Sequence, residues 1–160
     1  PVIFFEHQQL MRFTGPVPQE EYLIPFGQAD IKKEGKDITV VATSLMVHRV
    51  LKAAEELARE NIELEVIDPR TLNPLDKKAI LDSVKKTGRL LIVHQACTTG
   101  GVGAEIAAIV AKEGFEHLIS PIHRLGALDV PVPFSPVLEN YVIPDERKIL
   151  EEVRSMLQGG

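Results

Sequence analysis

Short apolar, β-branched runs alternate along this chain with amphipathic helical stretches, which predicts an α/β fold on a mainly parallel sheet with right-handed crossovers. Two stretches carry the prediction. Residues 89–114 read as a buried strand (Leu90–Val93), a glycine-rich turn (Thr98–Gly103) and a helix with Ile106, Ile109 and Val110 on one face; glycine accepts the positive φ that a sharp turn needs. Upstream, Ile38–Ala42 and Leu64–Ile67 bracket a stretch in which Val47, Val50, Leu51, Ala54, Leu57 and Ala58 recur at helical spacing. Glu55, Glu56, Arg59 and Glu60 take its opposite, solvated face.

The other elements follow in order. Val2–Phe5 is short, apolar and β-prone, and reads as a strand cut from a longer chain. From Thr14 to Pro25, Gly15 and the prolines Pro16, Pro18 and Pro25 block regular structure, so residues 14–25 read as a linker with a domain boundary near Ile24. Residues 29–35 suggest an edge strand turning at Gly35, and Thr43 and Ser44 offer hydroxyls to cap the helix after Ile38–Ala42. Between Asp68 and Asp76 lies a helix start, with Asn73 as cap, Pro74 at the first position and Asp76 at the positive end. Ile80, Leu81 and Val84 form that helix's buried stripe, and Gly88 stops it. Ile119–Leu125 is expected as a further main strand, residues 126–136 as a loop, and a final helix from Pro144-Asp145 buries Ile149, Leu150, Val153, Met156 and Leu157.

Composition excludes several classes. At 160 residues, 44% hydrophobic and 26% charged, the chain suits a domain with a real core. A net charge of −5 argues against a sequence-independent nucleic-acid surface. The single cysteine, Cys97, rules out an internal disulfide framework and fits a reducing compartment. No apolar run approaches the roughly 20 residues of a bilayer span.

Candidate chemistry is sparse. Gly100, Gly101 and Gly103 open a helix, as anion sites do. Their spacing is not the dinucleotide fingerprint, and no Lys-Ser or Lys-Thr follows as in a P-loop. The five histidines (His7, His48, His94, His117, His123) show no metal-ligand spacing. His94 ends a central strand, where α/β sites gather; it is either such a site or a hydrogen-bonded core histidine. Cys97, three residues on, is either a tolerated thiol or a nucleophile that would need His94 to converge on it. Asp68 and Arg70 read as a loop ion pair. Pro131, Pro133 and Pro136 stiffen a partly apolar loop, either packed on the core or preorganised for a partner, and Glu139 and Asp145 nearby would attract a basic one. No catalytic constellation is complete.

Six stretches in a fixed order resemble the carboxyl-terminal half of the beta subunit of thiamine-diphosphate-dependent 2-oxo acid dehydrogenases. They are Pro1–His7, Ile24–Ala42, Ser44–His48, Val66–Asp76 (Val-Ile-Asp-Pro-Arg-Thr-Leu-Asn-Pro-Leu-Asp), Gly101–Ile106 and Asp129–Pro136 (Asp-Val-Pro-Val-Pro-Phe-Ser-Pro). Pyruvate dehydrogenase is the most similar member, with acetoin and branched-chain relatives sharing most motifs. The resemblance implies a transketolase C-terminal type domain: three layers, α/β/α, over a five-stranded sheet that is mostly parallel with one antiparallel strand. Residues 1–13 then hold the last strand of a preceding pyrimidine-binding domain, 14–25 the linker and 26–160 the domain itself.

The parent enzyme so implied performs thiamine-dependent oxidative decarboxylation and acyl transfer to lipoyl groups, with thiamine diphosphate and magnesium held elsewhere and its catalytic glutamate in the other half. This segment is expected to bind no cofactor or metal and to have no catalytic residue. Its implied role is assembly with an alpha subunit and a second beta subunit, and docking to the subunit-binding domain of a dihydrolipoyl acyltransferase, with Glu139 and Asp129 as contacts through acidic-to-basic steering. No nucleic-acid or membrane partner is expected. The location implied is cytoplasmic in a bacterium, or the mitochondrial matrix or plastid in a eukaryote. The rivals are the matching domain of a transketolase or deoxyxylulose-phosphate synthase, a stand-alone binding module, and a small Cys–His hydrolase.

Overall fold

A run such as Val40-Val41 can be wholly buried only if both faces of its sheet are covered, because successive side chains point to opposite sides. The computed structural model, which describes residues 1–158, has that arrangement. The strands are β1 (Asp30–Lys33), β2 (Ile38–Ala42), β3 (Leu64–Asp68), β4 (Leu90–Cys97) and β5 (His123–Ala127). They lie side by side in the order β1-β3-β2-β4-β5. β1 runs antiparallel to β3, and the other pairs are parallel, with Val40 opposite Val66 on one side and Leu91 on the other. The helices are α1 (Leu45–Ala58), α2 (Lys77–Thr87), α3 (Val102–Glu113), α4 (Pro136–Val142) and α5 (Glu146–Gln158).

Alternation divides the core in two. Ile38, Val40, Ala42, Leu64, Val66, Leu91 and Val93 pack with Val50, Leu57, Ile149 and Val153 of α1 and α5. Val41, Ile67, Leu90 and Ile92 face Ile80, Val84, Ile106 and Val110 of α2 and α3. The three-layer, mostly parallel architecture is therefore the one the resemblance implied. Thr39 and Glu65, buried on the α2 side, both find hydrogen-bond partners. Thr39 shares hydrogen bonds with Ser83 (2.6 Å) and Thr87 (2.7 Å). Glu65, 2% exposed, accepts from Lys86 Nζ and from the Gly35 N–H.

Several local expectations are corrected. Val2–Phe5, expected as the last strand of a preceding domain, has exposed side chains and no ladder neighbour among the described residues. The prolines of 14–25 do keep that stretch free of helix and strand. Asp76, not Asn73, caps α2 by accepting from the Ala79 N–H at 3.0 Å, which leaves Pro74 outside the helix after a cis Asn73–Pro74 bond. Ser44 precedes α1 but makes no capping bond; its backbone has φ 55° and ψ −129°, not the extended conformation of a capping residue. β5 begins at His123 rather than Ile119, because a 3-10 turn at Phe115–His117 and the ring of Pro121, which has no N–H, come first. The final helix begins at Glu146, where Asp145 accepts from the Lys148 backbone N–H at 2.8 Å. The stretch after Ser135, expected as loop up to Pro136 only, continues as α4. Gly159 and Gly160, the end of the expected domain, lie outside the described residues.

Candidate functional site at the carboxyl edge of the sheet

β2 and β4 are neighbours from which the winding departs in opposite directions, so the crevice past their carboxyl ends is where such folds place ligands. In this chain that edge is closed by its own side chains. His94 leaves β4 on the α2/α3 side and is 1% exposed. Its Nδ1 pairs with the Ala96 carbonyl at 3.0 Å, while Nε2 is buried without a partner. The ring lies against the glycine turn. A Cβ on Gly101 would come 2.8 Å from His94 Cε1, one on Gly103 2.7 Å from Cδ2 and closer still to Nε2, and one on Gly126 3.0 Å from Cε1. The glycines are thus spaced to admit an imidazole. Burial is the main force lowering the His94 pKa, opposed by the Ala96 carbonyl and assisted by the Arg124 charge, so the ring is neutral.

The outer side of the turn is pinned. Asp129 accepts from the Thr99 N–H (3.1 Å) and hydroxyl (2.5 Å), and Arg124 donates to the Thr98 carbonyl at 3.0 Å. The Thr99 hydroxyl is the main cause, with its N–H next, of an Asp129 pKa below the usual carboxylate value. Asp129 therefore holds the loop to the turn. Cys97 Sγ faces the Leu128 carbonyl at 3.5 Å, and no hydrogen bond joins it to His94, whose nitrogens are otherwise placed. The hydrolase pair does not assemble. Arg70, at φ 55°, sends its guanidinium to Asp30 of β1 (2.7 Å), while the Asp68 carboxylate takes the Arg70 N–H instead of its charge. The His48 ring lies tilted against Phe13, with ring centroids 4.5 Å apart.

The inner face of the turn is filled by the His94 ring, and no group of three or more His, Cys, Asp or Glu side chains converges among the described residues. No helix among the described residues is long and apolar enough to cross a membrane. Two open hollows, of about 470 and 460 Å³, lie elsewhere, beside Phe115 and Ile119 and beside Glu65 and Asp82.

Past the pinned loop the surface changes character. Val130, Val132, Phe134, Val137, Leu138 and Tyr141 are all exposed, Phe134 completely, and Glu139 sits half-buried among them on α4. The proline loop is therefore not folded over the core. Sequence reading did not single out Arg124, Thr99 or Lys148, which fix this region, although Ser135-Pro136 is a helix-start signal in its own right.

Comparison with known proteins gives a consistent result. The family model described as transketolase, C-terminal domain, matches residues 27–149. The acetoin:2,6-dichlorophenolindophenol oxidoreductase subunit beta of Cupriavidus necator is 45% identical over 160 residues, covering all of this chain and 47% of that protein. The pyruvate dehydrogenase E1 component subunit beta of Rickettsia felis is 46% identical over 98% of this chain and 48% of its own length. A solved split-gene transketolase, described as an inactive beta4 tetramer, superimposes with a TM-score of 0.75 at 28% identity, over 84% of this chain and 44% of that one. The chain spans about half the length of the relatives it matches.

Proposed function

The chain belongs to the transketolase C-terminal domain family, and from that premise we propose that it is the assembly half of the beta subunit of a 2-oxo acid dehydrogenase. Residues 26–160 are the domain and 14–25 its linker. The parent reaction is oxidative decarboxylation of a 2-oxo acid, pyruvate by the resemblance, with acyl transfer to lipoyl groups. Identity of 45% to 46% with beta subunits of acetoin and pyruvate enzymes supports this over a transketolase, which the 28% structural likeness favours more weakly. When bound in the parent, thiamine diphosphate supplies the electron sink for decarboxylation, and with its magnesium it is held outside this segment. The alpha subunit and a second beta subunit complete the assembly.

The observation that carries the assembly role is the exposed apolar band from Val130 to Tyr141, with Glu139 at its centre. Exposed large apolar side chains gathered along one loop and helix are what a protein contact buries. The proposed occupant is the subunit-binding domain of a dihydrolipoyl acyltransferase, with Glu139 facing its basic side chains and Asp129 keeping the supporting loop in place. The test is a titration of the chain with that domain at low and moderate salt, beside one with thiamine diphosphate and magnesium. Salt-weakened binding to the first, roughly tenfold poorer for Glu139→Lys, is the expected result. Absence of binding to the acyltransferase domain, or tight cofactor binding, overturns the assignment.

A further inference from the structure

A helix of seven residues cannot hold itself together, since isolated helices below ~12–15 residues are marginal in water. α4 has seven, and its exposed Val137, Leu138 and Tyr141 point away from the core. Its last carbonyls also need partners, because helix C-termini leave C=O groups unmatched. One side chain supplies most of them. Lys148, in the first turn of α5, directs its ammonium to the carbonyls of Tyr141 (2.6 Å), Ile143 (2.8 Å) and Asn140 (3.3 Å). The same Nζ lies 5.8 Å from the centroid of the Tyr141 ring. The Val142 carbonyl is taken by the Leu128 N–H at 3.2 Å, and Arg49 holds the Pro144 carbonyl.

We propose that Lys148 is the positioning residue of the partner-docking surface: its charge clamps the carboxyl end of α4 and so sets how Val137, Leu138, Glu139 and Tyr141 are presented. The assignment rests on the docking reading above. Three features support it. An ammonium has three donors and no acceptor, which suits a cluster of carbonyls. A positive charge at a helix C-terminus also opposes the negative end of the helix dipole. Lastly, the fixings of α4 gather at its carboxyl end, where Val142 and Ile143 are buried, while Pro136–Leu138 remain exposed. Release of that end frees the whole short helix, and the surface ceases to be preorganised.

Backbone hydrogen exchange and partner titration on the full chain test this together. Lys148→Met keeps the aliphatic stem and removes the charge, and Lys148→Arg restores it. For Lys148→Met the amides of residues 139–143 are expected to exchange at least about tenfold faster, those of α5 from Val153 onward to stay at wild-type rates, and binding of the acyltransferase subunit-binding domain to weaken by about the same factor; Lys148→Arg is expected to recover most of both. Unchanged exchange in 139–143 overturns the clamp whatever the binding does. Faster exchange with undiminished binding overturns its link to docking. If the wild-type chain binds no acyltransferase domain, the docking reading is the part that fails, and exchange alone then decides whether Lys148 holds α4.

Discussion

Gly103→Ala separates the packing account of the glycine turn from every ligand account. Gly103 is the second residue of α3, and helix propensity alone favours alanine there by up to ~1 kcal/mol. The geometry says the reverse. The added methyl would lie 2.7 Å from His94 Cδ2 and 3.2 Å from Ile92 Cγ2, so the ring must move by about an ångström. It has nowhere to go, with Gly101 and Gly126 against its other edge and Nδ1 held by Ala96. Overpacking of this kind costs ~1–3 kcal/mol, leaving a net loss of up to about 2 kcal/mol, or up to roughly 8 °C in melting temperature for a chain of this size. His94→Ala alone opens a cavity and is expected to cost about 2 kcal/mol. In the double variant the methyl enters space the ring has left, so the two losses should fall short of additivity by about 1–2 kcal/mol. Urea denaturation of all four proteins gives the cycle. A stabilised Gly103→Ala protein, or strictly additive losses, would refute the reasoning.

Ser44 adopts φ 55° with no capping bond in return, so Ser44→Gly should relieve strain and raise stability by about 1 kcal/mol in thermal melts. Glu65 is buried, which pushes its pKa up, but Lys86, Ser83 and the Gly35 N–H outweigh that and hold it below the ordinary 4.5. Lys86→Met is expected to cost about 1–2 kcal/mol at neutral pH, less than a fully buried pair because the Lys86 side chain is 48% exposed. That gap should close as pH falls below 4.5, toward the lowered folded pKa at which the wild-type carboxylate takes its proton. The lowered pKa of His94 acts in a different window: below its ordinary 6.5 the unfolded chain takes a proton that the folded one refuses. Stability should therefore fall as pH drops below 6.5, by at most ~1.4 kcal/mol per pH unit; urea midpoints of wild type and His94→Gln should converge as pH drops below 6.5, and parallel curves would sink the idea.

What the sequence disclosed follows from the range of the physics involved. Val40-Val41 and Leu90–Val93 announce doubly covered strands because burial on two faces is written in consecutive residues. The stripes of α1 and α5 announce themselves by period. The role of Gly103 was only half legible: a glycine turn is visible as such, but that it receives His94, nine residues back, depends on α3 folding over β4. Ser44 was misread because a serine before a helix normally caps, and nothing local records that the backbone there is left-handed. α4 escaped notice for a further reason. Val137, Leu138 and Tyr141 face solvent and Val142 alone is buried, so no buried stripe marks it. The hydrogen bonds of Lys148 are defined only once the turn at Ile143–Asp145 brings α4 and α5 together.

The carboxyl edge of a parallel sheet offers strand ends, helix N-termini and glycine turns, and these usually converge on a ligand. Here the glycine turn is engaged from within the chain: His94 packs against it, Thr99 holds Asp129, and Thr98 engages Arg124. Polar groups bonded in this way cannot be redirected to a substrate without leaving another group unmatched. Their effect is carried outward instead. The bond between Asp129 and Thr99 fixes the start of the proline loop, the Leu128 N–H fixes the end of α4, and Lys148 closes the same end from α5. A rigid frame of that kind does nothing for the core, which is already complete on both faces of the sheet. What it does is hold an apolar, acid-centred surface in one conformation, the condition under which a modest contact area yields specific binding.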